Sequence, residues 1–253
     1  MNKIALITGA TSGIGLATAR KLGSSNIDLI ITGRRRDRLE ELRDELTGKI
    51  SGIRVLVLDF DVRSLTEVVE NLGNLDKDWR DIDILVNNAG LAVGLNHIDD
   101  GVIDDWERMI DTNIKGLLYV TRVVSPGMVE RGRGHILNVG SIAGKEVYEN
   151  GNVYCATKHA VDALSRSMRI DLVNHGIKVS NIAPGLVETE FSDVRFKGDM
   201  GKAKKPYAGM KPLTGEDVAD VINYCINLPD HVNINDVVIM PTAQAASTII
   251  HRT

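Results

Sequence analysis

Residues 4–15 read IALITGATSGIG, and this stretch decides the fold. The run from Ile4 to Thr8 is apolar or β-branched throughout instead of alternating, which is typical of a strand buried on both faces of a parallel sheet. Three glycines follow at the spacing Gly-x-x-x-Gly-x-Gly, and a helical pattern begins at Ile14. Glycines let the backbone turn tightly beside a phosphate, and a helix N-terminus offers N–H groups to the anion. The stretch predicts a dinucleotide-binding βα unit, with a plain glycine turn as the alternative.

Short apolar runs alternate with helical segments along the rest of the chain. We expect strands at 4–8, 29–32, 55–58, 82–86, 135–139, 178–182 and 237–240. Helices are expected at 14–24, 36–46, 64–72, 104–131, 152–174 and 217–228. Gly48 is expected to cap the second helix, and Pro126 to bend the long fourth one. Repeated βα units are typical of an α/β, Rossmann-type, doubly wound parallel sheet, here of about seven strands with helices on both faces.

Residues 186–213 follow the Pro184-Gly185 pair and show no clear helical or strand period. A loop of this length inside a compact domain is usually a lid or a binding element. The chain has no composition break and no linker that would require a second unit. We therefore predict a single dinucleotide-binding and catalytic domain over residues 1–253, with a substrate lid at about 186–213.

The composition excludes several classes of protein. Of the 253 residues 43% are hydrophobic and 25% charged, and the formal net charge of -4 argues against a nucleic-acid partner. No apolar run approaches the ~20 residues that span a bilayer, and the first strand starts too early to leave room for a signal peptide. The six histidines and two cysteines have no metal-ligand spacing and suggest no disulfide. We expect a cytoplasmic protein without a metal, membrane or nucleic-acid partner.

The end of the second strand selects the dinucleotide. An acidic residue there would bind the ribose hydroxyls of NAD, but the sequence reads Thr32-Gly33-Arg34-Arg35-Arg36. Guanidinium groups suit a 2′-phosphate by charge and by their bidentate geometry. A solvated helix start is the alternative, although positive charge at a helix N-terminus is unfavourable without some compensating role. NADP is therefore predicted, with Arg34 and Arg35 at its 2′-phosphate.

Tyr154 and Lys158 are four residues apart within a predicted helix, so both lie on one face of it. A neighbouring cation favours the phenolate and lowers the pKa of a tyrosine. A tyrosine tuned in this way can exchange a proton near neutral pH. Alone the pair is a weak signal, because exposed pairs at this spacing are common in helices.

Together the motifs resemble the short-chain dehydrogenase/reductase family over essentially the whole chain. The matching residues are Thr8-Gly9-x-x-x-Gly13-x-Gly15, Asn87-Asn88-Ala89-Gly90, Asn113, Ser141, Tyr154-x-x-x-Lys158 and Pro184-Gly185. Further stretches resemble its NADP-dependent 3-hydroxy acid (serine 3-) dehydrogenase subgroup: LVNNAGLA at 85–92, MIDTN at 109–113, PGMVE at 126–130, GNVY at 151–154, EFSDVRFKGD at 190–199 and HVNIN at 231–235. This resemblance implies oxidation of β-hydroxy acids such as serine, allo-threonine and 3-hydroxypropionate, or reduction of the matching semialdehydes.

The resemblance also implies the cofactor contacts. The residues concerned are Gly9, Thr11, Ser12, Gly13, Ile14 and Gly15 at the pyrophosphate, Arg34 and Arg35 at the 2′-phosphate, Asp61 and Val62 at the adenine, Asn88, Ala89 and Gly90 at the adenosine half, and Pro184, Gly185, Val187 and Thr189 at the nicotinamide, together with Tyr154 and Lys158. Asn87 is implied to tie the fourth strand to its neighbours.

The implied catalytic set is Asn113, Ser141, Tyr154 and Lys158. The Tyr154 phenolate would take the proton of the substrate hydroxyl, and Lys158 would favour that phenolate. The Ser141 hydroxyl would bond the reacting oxygen and stabilise developing charge. Asn113 is expected to hold a water that links Lys158 to solvent, with pinning of a helix bend as the alternative.

Substrate recognition depends on weaker signals. Ser141 and Tyr154 would contact the substrate, and Arg195 is predicted to bind its acidic group, with Lys197 as a second candidate and solvated charge as the alternative. Lys145 and Glu146 depart from the subgroup pattern and are expected to bring charge to a wall of the active site.

Two other functions remain open at this level. One is an NADPH-dependent sulfoacetaldehyde or other small carbonyl reductase. The other, more remote, is a dinucleotide-binding sensor without catalysis. The family resemblance further suggests a homotetramer in which helices 104–131 and 152–174 pack across two-fold interfaces.

Overall fold

A computed structural model describes residues 2–253, and a single parallel sheet forms its centre; Met1, the first residue of the predicted domain, lies outside the described residues. The strands are β1 (Ile4–Thr8), β2 (Asp28–Gly33), β3 (Val55–Asp59), β4 (Ile84–Asn87), β5 (Gly134–Val139), β6 (Ile177–Pro184) and β7 (Asp236–Ile239). Their order is β3-β2-β1-β4-β5-β6-β7, and every neighbouring pair is parallel. The predicted doubly wound Rossmann-type sheet is confirmed.

Helices cover both faces of the sheet. They are α1 (Gly13–Ser24), α2 (Arg36–Lys49), α3 (Leu65–Leu72), α4 (Ile103–Ile110), α5 (Leu117–Arg131), α6 (Asn152–Leu172), α7 (Phe191–Arg195), α8 (Met200–Lys204) and α9 (Gly215–Ile226). Side chains alternate along β1, so Ile7 packs with α1, α2 and α9, whereas Leu6 packs with α3, α5 and α6. This alternation buries the strand on both faces, as its unbroken apolar run predicts.

The second helix does not end at Gly48, and that prediction is wrong. Helix α2 includes Gly48 and continues to Lys49, after which Ile50 takes an extended conformation. The left-handed glycine comes later, at Gly52, with a φ of 80°. A β-carbon at Gly48 would meet nothing within 4 Å, so this glycine sits in the last turn without a packing requirement.

The long helix predicted at 104–131 is interrupted upstream of its proline. Helix α5 runs through Pro126, where we expected a bend, whereas residues Asp111–Gly116 form a π-helical stretch between α4 and α5. Such stretches concentrate at functional sites. This one contains Asn113, a predicted catalytic residue, and the departure from α geometry therefore lies beside the candidate site.

Residues 186–213 form an excursion whose two ends meet. Leu213 N donates to Leu186 O at 3.0 Å, and Val187 pairs with Leu213 in a parallel bridge. Helices α7 and α8 lie within the excursion, although its sequence showed no helical period, because each has only five residues. Strand β6 runs further than predicted, through Pro184, and Gly185 N then donates to Ile239 O at 2.8 Å.

Three further predictions concern membrane-spanning helices and metal sites, the cysteines, and Asn87. In residues 2–253, no helix has the length and apolarity needed to cross a bilayer, and no cluster of His, Cys, Asp and Glu suited to a metal is found. Cys155 and Cys225 are both buried and free. Asn87 donates to Thr121 Oγ1 and Asn138 Oδ1, both at 2.9 Å, and thereby ties β4 to α5 and β5.

Candidate active site at the carboxyl edge of the sheet

A cavity of about 540 Å³ lies at the carboxyl edge of the sheet, where ligands bind in doubly wound folds. Most residues predicted for the site line it: Gly9, Thr11, Ser12, Gly13, Ile14, Arg34, Arg35, Asp61, Val62, Asn88, Ala89, Gly90, Ser141, Tyr154, Lys158, Pro184, Gly185, Val187, Thr189 and Arg195. Gly15 and Asn113, also predicted for the site, do not line the cavity. Residues from distant parts of the sequence are thus brought to one cavity.

The glycine turn has the conformation that its sequence requires. Gly9 and Gly13 adopt φ values of 69° and 53°, in the region that favours glycine. A β-carbon at Gly15 would collide with the carbonyl of Gly9 and lie 2.5 Å from Asn88 Nδ2. The Asn88 amide in turn donates to Thr8 O at 2.8 Å and to Gly9 O at 3.1 Å. Gly15 therefore serves close packing of the turn, and Asn88 both lines the cavity and fixes that turn.

Arg35 connects the glycine turn to the excursion. Its Nη2 donates to Thr11 Oγ1 at 2.7 Å and to Ser12 Oγ at 3.1 Å, and its Nη1 donates to Glu190 Oε2 at 2.9 Å. Arg38, which sequence reasoning missed, donates to Glu190 Oε1 at 2.6 Å. Partial burial would raise the pKa of the Glu190 carboxyl, but the hydrogen bonds from the two arginines outweigh burial and hold this pKa below its usual range.

Arg34 is the more exposed member of the predicted pair. Its Nη1 lies 3.8 Å from Asp61 Oδ2 at the other side of the cavity mouth. Asp61 also accepts from Arg63 Nη2 at 2.6 Å; burial alone would raise the pKa of its carboxyl, but these contacts hold the pKa below its ordinary value. The acid predicted at the adenine is therefore ionised and faces cations.

Ser141, Tyr154 and Lys158 meet at the inner end of the cavity. Ser141 follows β5, and its Oγ accepts from Ala143 N at 3.1 Å. Tyr154 and Lys158 lie one turn apart on α6, and Lys158 Nζ donates to Val139 O at 2.8 Å. The three side chains are buried, so a reacting group placed among them would be shielded from bulk water.

Burial decides the proton affinities of the pair on α6. It raises the pKa of the Tyr154 phenol above its ordinary value; the nearby Tyr148 adds to this, while the Ser141 hydroxyl and the Arg195 guanidinium act in the opposite direction. Burial lowers the pKa of Lys158 to about 8. The shift at Tyr154 is opposite to the one expected from the helical spacing, because desolvation outweighs the neighbouring cation.

The Asn113 side chain is fully engaged within the protein. Its Oδ1 accepts from Leu91 N at 2.9 Å, and its Nδ2 donates to Leu91 O at 2.8 Å and to Thr157 Oγ1 at 3.0 Å. A β-carbon at Gly90 would lie 3.2 Å from Asn113 Oδ1 and 3.6 Å from Lys158 Nζ, so these residues are neighbours. The side chain pins the π-helical stretch to the loop after β4, and the water link to Lys158 stays a prediction.

Of the two cations considered for the substrate, only Arg195 faces the cavity. Its guanidinium lies 5.5 Å from the centre of the Tyr154 ring and 5.4 Å from that of Tyr148, and Nη2 donates to the Tyr148 hydroxyl at 2.8 Å. Its Nε is buried and has no acceptor among the described residues. Lys197 points away from the cavity and pairs with Asp105 Oδ2 at 2.8 Å.

The charge expected from Lys145 and Glu146 does not reach the active-site wall, and that expectation is wrong. Lys145 Nζ turns outward to Asp162 at 2.5 Å and Asp236 at 2.7 Å. Glu146 accepts from Ser247 N at 2.7 Å and so fastens the C-terminal segment. Each side chain binds a partner that is distant in the sequence, and neither side chain lines the cavity.

Sequence reasoning missed several residues that complete the cavity. The Phe191 ring lies 5.8 Å from that of Tyr154, and Tyr148, Tyr207 and Gln244 also line the wall. The C-terminal segment contributes Ser247, Ile250 and Arg252. Phe191 lies in the EFSDVRFKGD stretch at 190–199, which could have drawn attention to it, whereas the other residues belong to none of the motifs quoted above.

A family model described as short chain dehydrogenase matches residues 3–199. This chain belongs to the short chain dehydrogenase family. It is 50% identical over 251 residues to the NADP-dependent 3-hydroxy acid dehydrogenase YdfG of Salmonella typhi, covering 98% of this chain and 99% of that protein. It is 44% identical over 248 residues to Sulfoacetaldehyde reductase 2 of Chromohalobacter salexigens, covering 98% and 97%.

Solved structures of the family agree with this membership. The closed form of a serine dehydrogenase complexed with NADP+ superposes with a TM-score of 0.93 at 48% identity, over 99% of this chain and 100% of that one. A serine dehydrogenase from Escherichia coli superposes with a TM-score of 0.83 at 43% identity, over 96% and 99%. The similarity extends over the excursion as well as the sheet, because nearly the whole chain is covered.

Proposed function

We propose that this chain is an NADP-dependent dehydrogenase that interconverts a small 3-hydroxy acid and its 3-oxo acid or semialdehyde. Serine, allo-threonine and 3-hydroxypropionate are the substrates we expect. The observation that carries the proposal is the Arg195 guanidinium, which lines the cavity 5.5 Å from the centre of the Tyr154 ring. A guanidinium in the cavity wall beside a candidate acid–base residue suits a substrate that carries an anionic group.

The described residues fit NADP. The glycine turn at the start of α1 provides backbone N–H groups and space for a pyrophosphate, since a β-carbon at Gly15 would collide with the turn. Arg35 extends from β2 to this turn and provides the planar donor fork that suits a 2′-phosphate, with Arg34 and Arg38 nearby. When bound, the nicotinamide ring accepts or returns the hydride.

The protein's own task is to move the proton of the hydroxyl. Tyr154 takes it during oxidation and returns it during reduction. Burial keeps the phenol protonated, so reduction begins from the form that the site already favours. Oxidation needs the phenolate, which the positive charge of Lys158, one turn away, stabilises. Ser141 donates a hydrogen bond from its hydroxyl to the reacting oxygen and stabilises the charge that develops there.

We also infer that residues 186–213 act as the substrate lid of a single catalytic domain. The excursion carries Thr189, Phe191 and Arg195 to the cavity. A β-carbon at Gly13 would lie 3.1 Å from Thr189 Cβ, so the start of the excursion touches the glycine turn. A segment that contacts both ends of the cavity can cover a cofactor and a substrate together.

A homotetramer is the quaternary state that we expect. Supporting this are apolar side chains left exposed on the long helical elements, with 58% of Ile103, 37% of Leu118 and 74% of Ile170 accessible. Exposed apolar groups on neighbouring helices favour burial against a second copy. Light scattering on the purified protein would measure the mass, and a monomer would contradict this inference.

The activity test compares charged and uncharged substrates. Purified protein is incubated with NADP+ and either 3-hydroxypropionate or 1,3-propanediol, its uncharged analogue, and formation of the reduced nicotinamide is followed by absorbance. We expect kcat/KM to favour the acid, and we expect Arg195→Met to remove most of this preference by lowering kcat/KM for the acid much more than for the diol. Equal rates for the two compounds, in both the wild-type protein and the variant, would contradict the proposal.

A sulfonate presents the same charge and a similar arrangement of oxygens to Arg195, so reduction of sulfoacetaldehyde is the second candidate. The sequence similarity to a sulfoacetaldehyde reductase supports testing it. A ratio of kcat/KM values for sulfoacetaldehyde and for a carboxylate semialdehyde, both with NADPH, separates the two functions. Tight NADPH binding without turnover of any of these compounds would instead favour a sensor.

A further inference from the structure

We propose that Asp105 and Lys197 are positioning residues for the substrate, because their ion pair holds the Arg195 guanidinium over Tyr154. This inference rests on the proposed function, in which Arg195 binds the acidic group of the substrate. Asp105 and Lys197 do not line the cavity themselves. Their effect would therefore act through Arg195.

The ion pair joins α4 to the residues that follow α7. Lys197 Nζ lies 2.8 Å from Asp105 Oδ2, which is an ion-pair distance although the angle is not that of a hydrogen bond, and the Asp105 side chain is only 5% exposed. A buried carboxylate is costly unless it is paired with a cation. The other cation near Asp105 is Arg108, whose Nη1 is 4.0 Å from Oδ1. Lys197 is therefore the principal counter-charge of this carboxylate.

The backbone at Lys197 adopts a conformation that lysine rarely takes. Its φ is 52°, in the left-handed region, and Gly198 follows with a φ of 85°. A non-glycine residue persists in this region only where its surroundings hold it there. The contact with Asp105 is the observed interaction that draws the lysine side chain to α4. Lys197 N also donates to Val194 O at 3.1 Å and Gly198 N to Asp193 O at 2.8 Å, which is the backbone pattern that ends a helix with a left-handed residue. The ion pair adds a side-chain contact that ties this turn to α4.

A second anchor acts on Arg195 directly. Gly94 N donates to Arg195 O at 3.0 Å, and a β-carbon at Gly94 would lie 2.7 Å from Asp105 Oδ2. The loop that holds the Arg195 backbone is therefore in contact with the carboxylate that holds Lys197. The contact with Gly94 holds Arg195, and the contact with Asp105 holds Lys197, two residues further along the chain. Both contacts lie where the loop at Gly94 approaches Asp105 of α4.

These anchors matter because α7 cannot orient Arg195 unaided. The helix has five residues, and Arg195 is the last of them. A single turn of helix is not stable by itself, so its geometry depends on contacts with the rest of the protein. The Tyr148 hydroxyl accepts from the Arg195 side chain, but this contact forms only when the backbone is already in place. Loss of the ion pair should leave the guanidinium present and mispositioned.

The experiment compares Lys197→Met with Lys202→Met as a matched control. Lys202 lies in the same excursion, and its Nζ is 3.3 Å from the exposed Asp199. Steady-state kinetics with 3-hydroxypropionate give KM and kcat, and fluorescence titration gives the Kd for NADP+. We expect Lys197→Met to raise KM roughly ten- to hundredfold with smaller changes in kcat and in the Kd for NADP+. Lys202→Met should match the wild-type protein, and Lys197→Arg should recover part of the loss.

A second variant keeps the test decisive if Lys197→Met folds poorly. Asp105→Asn keeps the size of the side chain and removes its charge, and it should raise KM in the same way. The double variant should then be no worse than either single one, because both remove one interaction. Additive losses, or a fall in kcat and in NADP+ affinity that follows the loss of thermal stability, would overturn the positioning role.

The outcomes for the two proposals are distinguishable. If Arg195→Met leaves the KM of the acid unchanged, the proposed function fails, whatever Lys197→Met does. If Arg195→Met raises KM while Lys197→Met behaves like Lys202→Met, the proposed function stands and the positioning role is overturned.

Discussion

The arginines at the two ends of the cavity differ in the hydrogen bonds that they make to the protein. At the glycine turn, Arg35 uses each of its nitrogens: Nε and Nη2 donate to Thr11, and Nη1 donates to Glu190. At the inner end, Arg195 donates to Tyr148 and is flanked by aromatic rings, but its buried Nε has no acceptor among the described residues. One guanidinium makes several hydrogen bonds to the protein before any ligand arrives, whereas the other makes one, to Tyr148, and otherwise lies against aromatic rings.

This difference has a physical consequence. A phosphate that approaches Arg35 must share or replace acceptors that already bind it, so selectivity for the phosphate comes from charge more than from an unmet hydrogen bond. An anion that approaches Arg195 gains a hydrogen bond that the protein does not supply. We therefore expect changes at the glycine turn to act on cofactor affinity, and changes at the inner end to act on catalysis and on KM for the substrate.

The largest expected effect is that of Tyr154→Phe, which acts at the inner end alone. Removing the group that exchanges the proton should lower kcat by about 10²- to 10⁴-fold. The Kd for NADP+ should stay close to that of the wild-type protein. Tyr224→Phe, at an exposed position on α9, provides a matched control. A kcat within tenfold of wild type would assign the proton transfer to another group and remove the contrast between the two ends.

The next effect is that of Arg35→Met, which should act at the cofactor end. A charge-assisted hydrogen bond contributes about 1.5–3 kcal/mol, so the Kd for NADP+ should rise roughly ten- to hundredfold. The Kd for NAD+, which lacks the 2′-phosphate, should change little. Arg36→Met is the control, because Arg36 pairs with Glu40 and Asp59 at the surface. Equal losses of affinity for the two dinucleotides would mean that Arg35 supports the turn but does not bind the 2′-phosphate.

The smallest effect is a change in the pH dependence of stability at Lys158. Burial lowers the pKa of this lysine to about 8, from an ordinary value of 10.5. Between those values the unfolded chain binds more protons than the folded one, so the free energy of unfolding rises with pH. Tyr154, whose pKa burial raises, acts in the opposite direction above its ordinary value of 10.0. Burial also raises the pKa values of the Cys155 and Cys225 thiols above their ordinary value of 9.0, and these groups act in the same direction as Tyr154. The informative range is therefore from about pH 8 to pH 9.0.

Urea unfolding of the wild-type protein and of Lys158→Met, without added cofactor, measures this dependence. We expect the wild-type protein to gain stability across the range and the variant to show a flatter profile. Parallel profiles would mean that Lys158 is not desolvated to the extent that its burial indicates, and the inner end would then be as solvated as the cofactor end.

The fold and the cofactor end could be predicted from sequence because their signals are local. The unbroken apolar run of β1, the glycines after it and the arginines after β2 each lie within a few consecutive residues. The Tyr154 and Lys158 pair needs only the period of one helix. Because each of these signals depends only on residues that are close together in the sequence, it can be recognised without the tertiary structure.

The substrate end could not be predicted in this way. Lys145 turns outward because Asp162 and Asp236 lie beside it, and Tyr148 lines the wall because Arg195 meets it across a separation of 47 residues. Local propensity likewise predicted a helix cap at Gly48, but the helix continues through this residue to Lys49. No short motif carries information on which distant side chains come together.

The sequence by itself determined the parallel sheet, the position of the glycine turn and the set of groups that we predict to move a proton. Only the tertiary structure decided how those groups behave. Burial of Tyr154 and Lys158 reverses the pKa shift expected for the phenol, since desolvation depends on every segment that packs around the site. The surroundings of Arg195 have the same cause, because its partner Tyr148 lies 47 residues away in the sequence.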